Sequence, residues 1–314
     1  MKILITGGCG YVGTILTEKL LQKGINITVV DTQWFGNYLN DHKNLVNIKE
    51  DIRNIGTKFL KSFDTVIHLA NIANDPSVDL NPTLSWEVNV LAMHQLADSS
   101  VRAGVNQFIY ASSGSVYGIK EEPNVTEDLT LVPISVYNKT KMVAERVLLS
   151  YKNEMSVHCI RPATVCGWSP RMRLDVSVNM LTMQALRNKK ITVFGGAQTR
   201  PNIHIKDLVL VYEHFLENPE IDSGCYNAGF ENISILDIAN TINSIIPSEI
   251  IISESNDPRS YRQDSSKLIK TGYKQKFYVK DAISEIIEKY NAGLLEDKPN
   301  YYTVNWMKKL NLDK

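Results

Sequence analysis

Tyr137 and Lys141 stand four residues apart in Val136-Tyr-Asn-Lys-Thr-Lys-Met142. On a helix that spacing puts both side chains on one face. A phenol has a pKa of about 10 and is a poor base at neutral pH. A neighbouring ammonium favours the phenolate and brings it toward working pH. Such a pair can take a proton from a substrate hydroxyl. The segment Ser112-Ser113-Gly114-Ser115-Val116-Tyr117-Gly118 lies upstream. A hydroxyl from that segment can hold the same substrate oxygen and shuttle its proton. Chance produces many Tyr-x-x-x-Lys pairs, and an amphipathic surface pair is the plain alternative. The order of the surrounding motifs decides against it.

A hydroxyl carbon that loses its proton must also lose a hydride, so an acceptor is required. Thr6-Gly7-Gly8-Cys9-Gly10-Tyr11-Val12-Gly13 spaces three glycines as Gly-x-x-Gly-x-x-Gly between an apolar run and a helical pattern. Gly7 permits a sharp turn, Gly10 lets backbone approach a pyrophosphate, and Gly13 lets helix pack close to strand. The helix N-terminus then offers free N–H groups and a positive dipole end to the anion. Asp31 follows about 20 residues later, where a carboxylate accepts both ribose hydroxyls of an adenosine. Thr32 to Tyr38 contain no Lys or Arg to meet a 2′-phosphate, so NAD is expected rather than NADP. Asp51 is a candidate for the adenine amino group, or equally a helix cap.

These motifs need a scaffold that brings them to one edge. Lys2–Thr6, Asn26–Val30, Leu45–Lys49, Thr65–Leu69, Gln107–Ala111 and Ser156–Arg161 read as short apolar strands. Helical spacing fills Tyr11–Lys23, Leu84–Ala103 and Val136–Tyr151, the first two ended by Gly24 and Gly104. Strands apolar on both faces and alternating with helices predict an α/β fold with a doubly wound parallel sheet of the Rossmann type. The second half loses the rhythm. Helical patterns at Val178–Arg187 and Ile235–Ile246 alternate with turn clusters Gly195-Gly196, Asn218-Pro219 and Asp257-Pro258. The expected organisation is an NAD-binding domain over residues 1–165. Residues 166–314 then form mainly a smaller α/β substrate lobe, some segments of which return to the first domain. The tail after Tyr290 is polar with isolated aromatics and is expected to pack loosely.

Composition sets outer limits. The 314 residues are 43% hydrophobic and 22% charged, enough for an ordinary globular core. Lys plus Arg and Asp plus Glu both number 34, so no broad attraction to nucleic acid or an acidic membrane is expected. Cys9, Cys159, Cys166 and Cys225 form no Cys-x-x-Cys pair, which predicts small buried hydrophobes and no metal site. No run approaches a membrane span, and the opening strand leaves no room for a signal peptide. A cytoplasmic protein is expected.

The whole set resembles the extended short-chain dehydrogenase/reductase family, the NAD-dependent nucleotide-sugar epimerases and dehydratases. The glycine turn, His68-Leu69-Ala70, Asn89, Ser112 to Gly118, Tyr137 to Lys141 and Arg161-Pro162 fall in family order. Arg200-Pro-Asn-Ile-His204-Ile-Lys-Asp207 is similar to the family's Arg-x-x-Ile-His-x-x-Asp segment, and matching elements run to about Lys267. The resemblance implies Ser113, Tyr137 and Lys141 as the catalytic triad. It implies cofactor contacts from Gly7, Gly10, Tyr11, Val12, Gly13, Asp31, Asp51, Ile52, Leu69, Ala70, Ser112, Tyr137, Lys141 and Pro162, with Asn89 near the nicotinamide. Family dehydratases place Asp-Glu after the catalytic hydroxyl, and decarboxylating members a Glu at the second position. Gly114 and Ser115 stand there instead.

What remains is oxidation at C4 of a nucleotide-linked hexose or heptose. Rebinding the keto sugar by its other face gives a 4-epimerase. Releasing it gives a C4 dehydrogenase. Arg161 to Asp175 is also similar to members acting on nucleotide-linked heptoses, so that second outcome stays open. Two further rivals are a reductase of a small carbonyl and a non-catalytic NAD-binding sensor. The second-half motifs speak against the first, and the retained Ser113, Tyr137 and Lys141 against the second.

Arg171, Arg173, Arg200 and Arg259 are candidates for the substrate diphosphate, or otherwise solvated surface arginines. Asn179 and Asn227 are weaker pocket candidates. His204 reads as a structural histidine joining the two lobes. The two long helices carry surplus apolar residues. The resemblance implies a homodimer through a four-helix bundle, the alternative being deeper burial within one chain.

Overall fold

A computed structural model describes residues 1–254 and 262–313. The turn Asp257-Pro258 and Arg259 lie outside the described residues. In chain order the main elements begin with β1 (Lys2–Thr6), α1 (Tyr11–Gln22), β2 (Asn26–Asp31), β3 (Leu45–Lys49) and β4 (Thr65–His68). Then come α2 (Met93–Ala103), β5 (Gln107–Ala111), α3 (Val136–Leu149), β6 (Ser156–Pro162) and β7 (Thr164–Cys166). The second half holds α4 (Ser177–Asn188), β8 (Lys190–Phe194), β9 (Thr199–His204), α5 (Ile205–Glu217) and β10 (Gly224–Ala228). It closes with β11 (Glu231–Ser234), α6 (Ile235–Ile245), β12 (Glu249–Ser253) and α7 (Val279–Asn291).

Seven strands form one sheet in the order β10-β6-β5-β4-β1-β2-β3. Every neighbouring pair is parallel. Helices cover both faces, as the apolar strands require. Alternate residues of one strand supply different cores. Ile3 and Ile5 pack with Leu16 and Leu20 of α1 and Phe215 of α5. Leu4 packs with Met93 and Leu96 of α2 and Ala144 and Leu148 of α3. Because all strands run the same way, their carboxyl ends share one edge, and ligands bind beyond that edge where the strand order reverses.

The second half contributes to that sheet as well. β10 pairs with β6 through Tyr226↔Ile160 and its neighbours. The remaining strands make two small sheets, β11-β9-β7 and β12-β8. Their core holds Val178, Leu181, Ile191, Val193, Ile238 and Ile283.

Three expectations are corrected here. The helix expected over Leu84–Ala103 is not continuous. It begins as Pro82–Trp86, widens into a π-helical stretch over Glu87–Ala92, and only then continues as α2. Asn89 sits in the wide stretch with its side chain turned inward, accepting from Ile72 N at 2.8 Å and donating to Ile72 O at 3.0 Å. Local apolar spacing does not register such a detour. The tail after Tyr290 is not loosely packed either. Tyr301, Thr303 and Met307 are buried, and Thr303–Lys309 is a helix. Three cysteines are buried as expected, whereas Cys225 is only half-buried.

Candidate active site

Past the carboxyl ends of the parallel strands lies a cleft of about 670 Å³. That is within the roughly 300–1,000 Å³ of ordinary ligand sites. The glycine turn forms its floor. Gly7 has φ +74°, and a Cβ there would meet the Ala70 backbone at 2.5 Å. A Cβ on Gly13 would meet Gly7 O at 2.3 Å. These two glycines therefore serve the close approach of turn, helix and neighbouring strand. A Cβ on Gly10 would stand 3.1 Å from Gly7 O and near nothing else, so it would project into the cleft that Gly10 lines. Tyr11, Val12 and Gly13 line the same floor at the start of α1. The Tyr11 hydroxyl donates to Gly167 O at 2.6 Å and so ties this helix to the second half.

Asp31 stands at the end of β2. One oxygen accepts from Cys9 N at 3.0 Å and the other from Gln33 N at 2.7 Å. Burial raises its carboxyl above the usual range, opposed by those two donors and by Arg171. Of the two expected roles of Asp51, the cap is observed. The residue caps the turn Ile52–Asn54 by accepting from Arg53 N at 2.9 Å, and it lines the cleft together with Ile52. Leu69, Ala70, Ser112 and Pro162 also face the cleft. An open glycine floor, a helix N-terminus and a carboxylate at the end of β2 fit the pyrophosphate and adenosine ribose of NAD.

At the other end are the chemical groups. Ser135 caps α3, accepting from Asn138 N at 3.1 Å and donating to Asp75 Oδ1 at 2.5 Å. That cap places Tyr137 in the first helical turn and Lys141 one turn on. Lys141 is 1% exposed. Its Nζ donates to Ala111 O at 2.6 Å and lies 5.9 Å from the Tyr137 ring centroid. Burial pushes this ammonium down to about 7, opposed by Glu145 and Cys159. Ser113 and Ser115 place their hydroxyls 2.7 Å apart on the facing turn. Ser113, Ser115, Tyr137 and Lys141 all line the cleft. The set can hold a substrate hydroxyl, remove its proton and return it.

Behind this wall is an ion pair that the sequence did not advertise. Glu145 receives the Arg161 guanidinium through Nε at 2.9 Å and Nη2 at 2.8 Å, with both side chains nearly inaccessible. Ser112 donates its hydroxyl to the same carboxylate. Arg161 Nη1 reaches the Tyr117 hydroxyl at 2.7 Å, which donates to Asn227 at 2.8 Å. Asn227 therefore belongs to the supporting network, away from the cleft wall.

The other expected residues separate into two groups. Arg171, Arg173 and Arg200 line the cleft. Arg171 is 3% exposed, with its guanidinium 4.2 Å from the Phe35 ring centroid. That places it beside the loop that follows Asp31 and not with Tyr137. Arg173 is paired with Asp175 at 2.8 Å. Asn89 and Asn179 do not line the cleft. Asn89 is spent on Ile72 and Thr140, and Asn179 on Gly167, Tyr11 and Arg173. Arg259 lies outside the described residues. His204 caps α5 through Lys206 N and faces Glu285 of α7 at 3.4 Å, a tie between elements of the second half.

Sequence reasoning missed Trp34, Phe35, Asn71, Asp75, Thr303, Val304 and Met307, which also line the cleft. For the last two, their i, i+3 spacing in the tail was the available signal.

Comparison with known proteins gives the family and the fold. Residues 3–229 match the model of the NAD dependent epimerase/dehydratase family. UDP-glucuronic acid decarboxylase 1 of Danio rerio is 29% identical over 96% of this chain and 75% of its own. UDP-glucose 4-epimerase of Lactobacillus helveticus is 27% identical over 85% of this chain and 89% of its own. The crystal structure of UDP-glucuronic acid 4-epimerase from Bacillus cereus, in complex with UDP-glucuronic acid and NAD, superimposes with a TM-score of 0.82. It is 27% identical and covers 93% of this chain and 99% of its own.

The ion pair generates a stability prediction. Arg161→Met leaves the Glu145 carboxylate buried without its cation, at a cost of about 3–5 kcal/mol. Urea unfolding of the variant beside the parent protein checks it. An unchanged midpoint would show that the pair carries no net stability.

Proposed function

The chain belongs to the NAD-dependent epimerase/dehydratase family, and from that premise we propose that it is a nucleotide-sugar 4-epimerase. Its substrate is a nucleotide-diphosphate hexose or heptose. The observation that carries this reading is the facing turn, where Ser113 is followed by Gly114 and Ser115. Neither neighbour has a carboxyl group for removing a C5 proton or assisting loss of carbon dioxide. The chemistry left to Ser113, Tyr137 and Lys141 is removal and return of hydrogen at C4.

In this mechanism Ser113 holds the C4 oxygen and Tyr137 takes its proton. Lys141, fixed on Ala111 O, supplies the positive charge that makes the phenol a usable base. Bound NAD supplies the acceptor and later the donor of the C4 hydrogen. Arg200 and Arg173 grip the diphosphate from the second half, while the keto sugar turns over and receives its proton from Tyr137. Arg171 attends the adenosine end of the cofactor, in line with its place beside Phe35.

A second reading is a C4 dehydrogenase that releases the keto sugar. The similarity of Arg161 to Asp175 to heptose-acting members favours it. A panel of UDP-, GDP-, CDP- and dTDP-sugars, followed at the reduced-nicotinamide absorbance band and by NMR, separates the two. Inversion at C4 without lasting absorbance is expected. A lasting rise with accumulating keto sugar would replace the epimerase by the dehydrogenase. Tyr137→Phe should abolish turnover while NAD still binds. Undiminished turnover would remove Tyr137 from the mechanism.

The four unpaired cysteines suit a reducing compartment, so we place the enzyme in the cytoplasm. Among the described residues no helix is long and apolar enough to cross a membrane. We also propose a homodimer through the helices around α2 and α3. Leu91 is 61% exposed and Trp86 36%, both on the surface of the helical segment leading into α2. A partner subunit packed on these helices would cover both side chains. Leu91→Arg should shift the protein from dimer to monomer in analytical ultracentrifugation, and an unshifted mass would remove this face as the interface.

A further inference from the structure

The segment from Asp297 to Leu312 crosses from one wall of the cofactor cleft to the other. On the first wall, Asn300 Nδ2 donates to Phe35 O at 2.8 Å and to the Tyr38 hydroxyl at 2.7 Å. Trp306 Nε1 donates to Trp34 O at 2.7 Å. On the second wall, Thr303 N donates to Asp175 Oδ2 at 3.0 Å, and Leu174 N donates to Tyr301 O at 3.0 Å. Arg187 of α4 pairs with Asp297. The first set holds the loop that follows Asp31, and the second holds the segment that carries Arg171 and Arg173.

Between these anchors the short helix Thr303–Lys309 turns one face inward. Thr303, Val304 and Met307 line the cleft with the glycine floor and Asp31. Met307 is 2% exposed and packs in one cluster with Ile52, Ile72 and Val88, and with Trp34 and Phe35 at its edge. These partners surround the adenosine end, as Asp31 and Asp51 define it.

We propose that Thr303, Val304 and Met307 are binding residues for the adenosine half of NAD, and that residues 297–312 form a strap retaining it. The dinucleotide leaves this end only after the strap lets go of one wall. The strap deepens the 4-epimerase reading and rests on it in one respect. An enzyme that returns its NAD to the starting state each turnover has no need to exchange it, so enclosure costs it nothing. A dehydrogenase would have to open the strap in every cycle.

The test is release of NAD from the full-length protein. Protein loaded with radiolabelled NAD is chased with excess unlabelled NAD. The double variant Asn300→Ala, Trp306→Ala loses the anchors on the first wall without altering a cleft-lining residue. Its release is expected to be at least about tenfold faster, since lost contacts act mainly on the off-rate. Equal release rates overturn the strap. Hydrogen exchange on the unaltered protein gives a reading that needs no variant. Loading with NAD should slow the amides of residues 300–309, and exchange indifferent to NAD overturns the contact. If the parent protein keeps its dinucleotide, now reduced to NADH, and releases one equivalent of keto sugar per bound cofactor, the epimerase reading falls and the strap stands.

Discussion

A lysine ammonium inside a protein loses its water, and the loss is tolerable only where other groups replace that water. Lys141 meets this demand with the Ala111 carbonyl at the end of β5 and the rings of Tyr110 and Tyr137. One turn further along α3, Glu145 adds a carboxylate that opposes the downward pull of burial. Glu145 is itself buried and is held by Arg161 from β6. Arg161 is steadied by Tyr117, and Gln263 donates to its carbonyl at 2.7 Å. The placing of Lys141 beside Tyr137 thus depends on β5, α3, β6 and a loop from the far end of the chain being in register together. Removing Arg161 or Glu145 strands the charge of the other.

The parallel sheet makes that register available. Ala111, Pro162 and Asp31 each end a strand or lie at its last residue, and parallel pairing brings all three to one edge. The same pairing brings β10 to β6, so Asn227 reaches Tyr117 from more than a hundred residues away. The second half is therefore not merely a cover. It supplies a strand to the sheet, the far end of the charge network and the arginines above the cleft.

Enclosure of the cofactor follows the same logic of distant segments meeting. The cleft beside Asp31 is walled by residues near 31–35, 50–52, 171–175 and 303–307. The tail reaches them because its few aromatic and apolar residues find cover there, and its polar side chains and backbone find carbonyl and carboxylate partners on both walls. A polar average over the tail hides this, since a handful of well-placed anchors is enough to order it.

The sequence by itself determined the parallel α/β plan, the glycine floor, Asp31 and the Tyr137–Lys141 pair. Each is local: a strand's apolar run, a turn that only glycine fits, or a spacing of four on a helix. It also determined that Ser113 is followed by no acid, which leaves hydrogen transfer at C4 as the proposed chemistry. Only the tertiary structure decided what Arg171, Asn89, Asn179 and the tail do. Arg171 went to Phe35, and Asn89 to the backbone of Ile72. Thr303, Val304 and Met307 went to the cleft wall. Those outcomes depend on which segments meet across long stretches of chain. Composition and periodicity carry no record of such meetings, because they describe neighbours along the chain and not neighbours in space.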